Sequence, residues 1–277
     1  MATLCQIHVY PVKSCGGIAV DRWRVGARGL ERDRELMAVT PAGAFLTQRE
    51  VPRLVLVRAA LEPDALVLTA PDLPPLRLPF AARSAARVPV VIWKDTVAAE
   101  PVGDEADAWM TRALGTDARL VRFPEDARRQ VDLTFARPGD LVGFADGFSL
   151  LLVSEASLDA LNARLEQPIG MNRFRPNLVV RGCEPFAEDT WRRIRIGALE
   201  LELPKPCARC PIPTVDEVTA THGKEPLRTL ATFRRIGGGG AVYFAQNAIH
   251  RGEGELAVGD AITVLETAPS AIGTSAS

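Results

Sequence analysis

Cys207 and Cys210, separated by Ala208-Arg209 and followed by Pro211-Ile212-Pro213-Thr214-Val215-Asp216, place two soft sulfur ligands at the mouth of a proline-stiffened turn. Such a Cys-x-x-Cys pair serves a thiol-disulfide couple, half of a zinc site, or one metal-ligating or nucleophilic thiol with a bystander. A redox couple draws its low thiol pKa from a helix N-terminus. Here Pro211 and Pro213 bias the residues after Cys210 toward extended backbone instead. A closed zinc site takes four ligands, usually as two paired knuckles. Cys5, Cys15 and Cys183 stand singly, and His222 would be a third ligand without a fourth. The single-thiol reading fits best, with the other two still open.

Three segments add cationic or amide donors beside constrained backbone: Tyr10-Pro11-Val12-Lys13-Ser14, Gly29-Leu30-Glu31-Arg32-Asp33-Arg34 and Asn172-Arg173-Phe174-Arg175-Pro176-Asn177. One arginine beside a turn is usually a solvated or ion-paired surface residue, so the order of the three segments carries more than any one of them. His8 falls in an alternating apolar segment and reads as structural, while His222, in a loop near the tetrad, is a candidate proton donor. Asp216 either caps the turn or donates a proton. No phosphate-binding glycine loop is present, and the run at residues 237–240 lacks the strand-then-helix setting such a loop needs, so it reads as a flexible connection.

Short runs of alternating or apolar residues must position these groups. They fall at residues 5–9, 35–40, 55–60, 65–69, 88–93, 119–123, 177–181 and 262–265, and the cleanest alternation is at 193–196 and 199–203, split by Gly197. Helical patterns are fewer: 155–165 after Ser154, a helix opened by Gly103-Asp104 and carrying Trp109, Met110 and Ala113, and 227–235 after Pro226. The mixture predicts a β-rich α+β protein built from barrels with a few peripheral helices, not a doubly wound parallel sheet. The Arg-, Asp- and Pro-rich stretch from 124 to 138 suggests two domains, residues 1–123 and 124–267, with a flexible tail at 268–277.

The chain has 277 residues, 47% of them hydrophobic, enough for a substantial core. A formal net charge of −1 gives no global electrostatic case for nucleic acid or an anionic membrane. All but four of the 33 basic residues are arginine, which genome composition explains and which also suits planar anion recognition. Five cysteines, and an N-terminus without a basic segment and apolar run, point to a reducing cytoplasm. The longest apolar run, at residues 148–153, is far too short to span a bilayer.

The ordered segments resemble the MOSC family of molybdenum cofactor proteins, and within it the mitochondrial amidoxime reducing component and its bacterial relatives. Tyr10 to Ser14, Asp33-Arg34, Leu46-Thr47-Gln48-Arg49-Glu50 and Pro52-Arg53-Leu54 are similar to the family's N-terminal β-barrel domain. Leu152 to Leu158, Phe174-Arg175-Pro176-Asn177, Ala187 to Trp191, Cys207 to Asp216, Lys224 to Leu227 and Val258-Gly259-Asp260 are similar to the MOSC domain in order and approximate spacing.

The resemblance implies a molybdenum-pterin cofactor with Cys210 as its protein thiolate and catalytic ligand, a role that suits a soft sulfur donor. It implies that Lys13, Ser14 and Arg34 close over the cofactor from the N-terminal domain, and that Arg175 and Asn177 hold it from the MOSC domain. Arg209, Asp146, Gly147 and Asn247 complete the implied set. At 147–148, Gly147 and Phe148 stand where relatives often place hydroxyl residues, which leaves backbone amides for that contact. Cys207 is read as packing. The implied activity is reduction of N-hydroxylated compounds (amidoximes, hydroxylamines, N-hydroxylated bases) to the N–H form and water. Electrons would come from a separate flavoprotein, ferredoxin or cytochrome, because no cysteine follows Cys210. The expected protein is a cytoplasmic monomer without nucleic-acid or membrane partners. Two rival readings are a non-catalytic cofactor or sulfur carrier, and a zinc-stabilised binding module using Cys207, Cys210 and His222.

Overall fold

In the computed structural model, which describes residues 1–237, 240–270 and 272, eight strands form the largest sheet. Their order is Ile262–Thr267, Trp191–Ile196, Leu199–Ala208, Tyr243–Arg251, Leu150–Ser154, Leu178–Arg181, Thr3–Val9 and Ile18–Val20. The sheet closes on itself through the start of Thr3–Val9, next to its last strand. Ile262 N donates to Ala2 O at 2.9 Å and Leu4 N to Asp260 O at 2.9 Å, joining the first long strand to the last. A sheet that closes on itself in this way leaves few unpaired edges.

Alternation explains the wall. Ile194, Ile196, Leu199, Leu201 and Leu203 point inward and are buried, while Arg193, Arg195, Glu200 and Glu202 face out and pair across the strands. Leu4, Ile7, Leu152, Leu178, Val180 and Ala248 fill the same core. One pair is parallel, Leu150–Ser154 with Leu178–Arg181, and helix Glu155–Asn162 makes the crossover. The Ser154 hydroxyl caps that helix by accepting from Ser157 N at 3.1 Å. It ends at Asn162 rather than 165, where the Asn162 side chain turns the chain by bonding both backbone groups of Ile169.

A second group of strands packs beside the barrel: Leu36–Val39, Arg119–Arg122, Asp95–Pro101 and Val88–Ile92 in one sheet, and Arg58–Leu61, Ala65–Thr69 and Leu76–Pro79 in another. Helix Asp104–Leu114 covers them with Trp109, Met110 and Ala113. The β-rich two-barrel expectation therefore holds. The halves also interlock, because Thr3–Val9 lies inside the C-terminal sheet and Gly254–Ala257 pairs with Arg22–Gly26.

Several local expectations change. Residues 55–60 do not form one strand: Pro52 starts a 3-10 turn, Pro52–Leu56, and the strand begins at Arg58. The helix expected at 227–235 is only Leu227–Leu230, because Arg234 accepts from Tyr243 N and Arg235 bridges to Val242. After Cys210 the chain makes one 3-10 turn, Ile212–Thr214, with Pro211 at φ −64 and ψ −12, instead of extended backbone. Of the connection expected at 237–240, Gly238 and Gly239 lie outside the described residues. So do 271 and 273–277 of the expected tail, whereas Ala268 N still donates to Thr190 O and Ile272 is buried.

Candidate functional site

Strand Leu199–Ala208 delivers Cys207 to its last turns, and Cys210 follows where the strand gives way to the turn at Pro211. Arg209 fixes this corner. Its amide donates to Val242 O at 2.7 Å, and its guanidinium donates to Phe174 O at 3.0 Å and Cys207 Sγ at 3.1 Å. Cys207 is thus tied to the corner by a cation, a more definite place than packing alone, while both thiols line one cavity of about 340 Å³.

All ten residues singled out from the sequence line that cavity: Lys13, Ser14, Arg34, Asp146, Gly147, Arg175, Asn177, Arg209, Cys210 and Asn247. Opposite the thiols, the segment after Thr3–Val9 supplies Lys13 and Ser14. Arg34 N donates to Tyr10 O at 2.7 Å and Phe144 N to Arg34 O at 3.1 Å, so three segments distant in sequence are knitted into one wall. Arg34 and Arg175 both lie on the Tyr10 ring, at 4.4 and 4.3 Å from its centroid. Burial pushes the Tyr10 phenol up to about 12, so the ring stays neutral between the two cations.

Five cations and one carboxylate line the cavity. The carboxylate, Asp146, is already engaged: Lys13 Nζ and Trp93 Nε1 both donate to it. Burial opposes its charge, but the Lys13 ammonium and these hydrogen bonds outweigh that and hold its pKa well below the usual carboxylate range. Lys13 also donates to Phe144 O at 2.8 Å. The Asn177 side chain is largely spent on the barrel, donating to His8 O at 3.1 Å and accepting from Leu151 N at 3.2 Å. Asn247 makes only long contacts, 3.4 and 3.5 Å, to the carbonyls of Pro206 and Lys205. Gly147 has open space where a Cβ would stand.

Among the residues lining the cavity, two buried guanidinium atoms have no hydrogen-bond partner, Arg175 Nη2 and Arg209 Nε. An unpaired buried donor on a charged group costs about 1–3 kcal/mol or more. The cavity is therefore shaped for an acceptor-rich anion. Among the described residues no group of three or more His, Cys, Asp or Glu is arranged to hold a metal ion. A metal at Cys210 would have to arrive with most of its own ligands.

Comparison with known proteins agrees with this chemistry. Residues 1–117 match the MOSC N-terminal beta barrel domain and residues 140–263 the MOSC domain. The mitochondrial amidoxime reducing component 2 of Bos taurus is 37% identical over 84% of this chain and 73% of its own. The mitochondrial amidoxime-reducing component 1 of Homo sapiens is 34% identical over 96% of this chain and 83% of its own. The chain belongs to the MOSC family. Its relatives also include the component 2 protein of Rattus norvegicus, 37% identical over 84% of this chain and 73% of its own.

For a MOSC protein the donor set fits a molybdenum-pterin cofactor. Cys210 offers one soft thiolate, Arg175 and Arg209 offer unspent donors to an anionic tail, and Arg34, which donates to Arg175 O, and Lys13 add further charge. The zinc-module reading finds no support, since Cys207, Cys210 and His222 form no metal-holding group and His222 is exposed outside the cavity. Asp216 caps its own loop, accepting from Val218 N, Thr219 N and the Thr219 hydroxyl, and it does not line the cavity. The sequence reading gave no site role to Thr47, Arg49 and Trp93, which do line it.

Proposed function

We propose that the chain is a molybdenum cofactor-dependent reductase that converts N-hydroxylated compounds, amidoximes foremost, to the N–H form. The observation that carries this reading is that Cys210 shares a single cationic cavity with two unpartnered buried guanidinium donors. The names of the relatives supply the substrate class. The bound cofactor supplies the two-electron redox chemistry. Arg34, Arg175 and Arg209 would hold its anionic end, Lys13 would add charge to the same cavity, and Cys210 would supply the thiolate ligand to the metal. Lys13 keeps Asp146 ionised, so this carboxylate serves to position the ammonium rather than to release a proton.

The balanced reaction takes an N–OH group, two electrons and two protons to N–H and water. Purified, cofactor-loaded protein should reduce benzamidoxime with reduced viologen and should leave NADH untouched until a reductase is added. No dinucleotide-binding loop is present in the sequence, so a separate flavoprotein, ferredoxin or cytochrome is the expected donor. Failure of loaded protein to reduce any N-hydroxylated compound with viologen would favour the carrier reading instead. Among the described residues no helix is long and apolar enough to cross a membrane, and a cytoplasmic monomer remains part of this proposal.

A further inference from the structure

The turn joining Val88–Ile92 to Asp95–Pro101 has two residues, Trp93 and Lys94. Trp93 has φ +55, a conformation that such turns usually give to glycine or asparagine and that a bulky side chain adopts only at a cost. The indole is 46% exposed, yet it is held. Its Nε1 donates to Asp146 at 3.2 Å, Phe45 lies 5.2 Å from it between centroids, and the Arg49 guanidinium lies 4.5 Å from its ring. Because Asp146 also binds Lys13, a strained and exposed aromatic ring is tied through one carboxylate to the cationic cavity.

Trp93 borders two spaces at once. The cationic cavity and an open groove of about 950 Å³ share Arg49, Trp93, Asp146, Gly147 and Phe148. Phe148, Phe135 and Lys205 also line the groove. The Lys205 ammonium sits 4.4 Å from the Phe135 centroid and 5.8 Å from that of Phe148, and has no carboxylate within ion-pair distance among the described residues, although Asp132 on the same groove is near enough to feel its charge. A cofactor occupying the cavity would leave this groove as the side from which a second molecule approaches. Flat aromatic walls favour a flat aromatic guest, and an unpaired ammonium favours an anion.

We propose that the groove is the substrate subsite, with Trp93 and Phe148 contacting the ring of an aromatic N-hydroxylated compound and Lys205 binding an acidic substituent on it. This rests on the reductase reading above. Trp93 is then a specificity residue, and the strained turn is retained because it presents the indole at the border between cofactor and substrate.

The test titrates oxidised, cofactor-loaded protein with benzamidoxime, 4-carboxybenzamidoxime and acetamidoxime by calorimetry, with no electron donor present. Trp93→Gly, which suits the turn, should weaken both aromatic ligands on the order of tenfold and leave acetamidoxime within about twofold. Lys205→Gln should weaken only the carboxylated compound, by about three- to fivefold. Molybdenum content should stay at the wild-type level in both variants. Aromatic affinities unchanged by Trp93→Gly, or falling equally for all three ligands, would overturn the subsite. So would a Trp93→Gly variant that binds normally and is slow only with a protein electron donor. Protein that shows the expected binding pattern yet reduces none of the three with viologen would refute the reductase reading and leave the subsite standing.

Discussion

Replacing Arg175 with methionine should leave the cofactor-free protein as stable as before and strip the loaded protein of much of its cofactor. Arg175 donates through Nη1 to Cys15 O and stacks on Tyr10, but its Nη2 is buried without a partner. Burial and the neighbouring Arg34 charge both push its pKa down. In the cofactor-free state the guanidinium is therefore close to a net cost, since an unpaired buried donor is worth about 1–3 kcal/mol against folding. Methionine keeps an apolar stem over the Tyr10 ring and removes that cost along with the bond to Cys15 O.

With an anion in the cavity the sign reverses. A charge-assisted hydrogen bond contributes about 1.5–3 kcal/mol, so Arg175→Met should weaken cofactor binding by about tenfold to hundredfold. Stabilisation by a bound ligand falls by the same free energy. At about 2–4 °C per kcal/mol for a chain of this size, the melting temperature of loaded protein should drop by about 3–12 °C. Molybdenum content by mass spectrometry and melting curves of protein made with and without cofactor synthesis in the host provide the two readouts. A variant that keeps full molybdenum occupancy after dialysis, or that loses as much stability without cofactor as with it, would refute the reasoning.

Cys210→Ser should purify with little molybdenum and no viologen-driven amidoxime reduction, because a hydroxyl is a poor substitute for a soft thiolate. Cys207→Ser should keep most of both, as a hydroxyl can still accept from Arg209; equal molybdenum retention by the two would contradict the assignment. Burial lowers the His8 pKa below its ordinary 6.5, so the unfolded chain takes up a proton that the folded chain resists. Stability from this source is present above about pH 6.5 and is lost as the pH falls below it. Melting temperatures from pH 7.5 to 5 should fall more steeply for wild type than for His8→Gln, and parallel curves would show that another group governs the slope.

Much of the fold is legible because one face of a strand is wet and the other dry. Trp191–Ile196 with Leu199–Ala208 carries the alternation that half-buried antiparallel strands require. Tyr243–Arg251 defeats that signal. Ala245 at φ +73 interrupts its two-residue period, and Phe244, Ala245, Gln246, Ala248 and Ile249 are all buried, so no wet and dry face can be read from it. The helix after Pro226 is shortened by a long-range bridge that local propensity does not contain. The cavity residues are legible as segments through their family resemblance, but their convergence depends on tertiary contacts such as Phe144 N to Arg34 O. Trp93 carries no turn signal at all, because neither Trp nor Lys is a residue that two-residue hairpins select.

That mismatch extends around the cavity. Ser14, Arg34, Arg175 and Trp93 all line it, and their φ values are +65, +48, +57 and +55. None is glycine, and each left-handed residue of this kind costs on the order of 1–2 kcal/mol. The surrounding structure over-determines three of them: Gln48 Nε2 bonds Ser14 O at 2.5 Å, Arg34 N bonds Tyr10 O, and Arg175 N bonds Asn172 O at 3.0 Å. Relaxing any one of these dihedrals would break a hydrogen bond and shift a neighbouring segment of the wall. Strain of this kind at four lining residues, held by the contacts around them, means that part of the cost of shaping the site is met during folding. An anion entering the cavity then meets donors already in place, and its binding energy is not spent on ordering them.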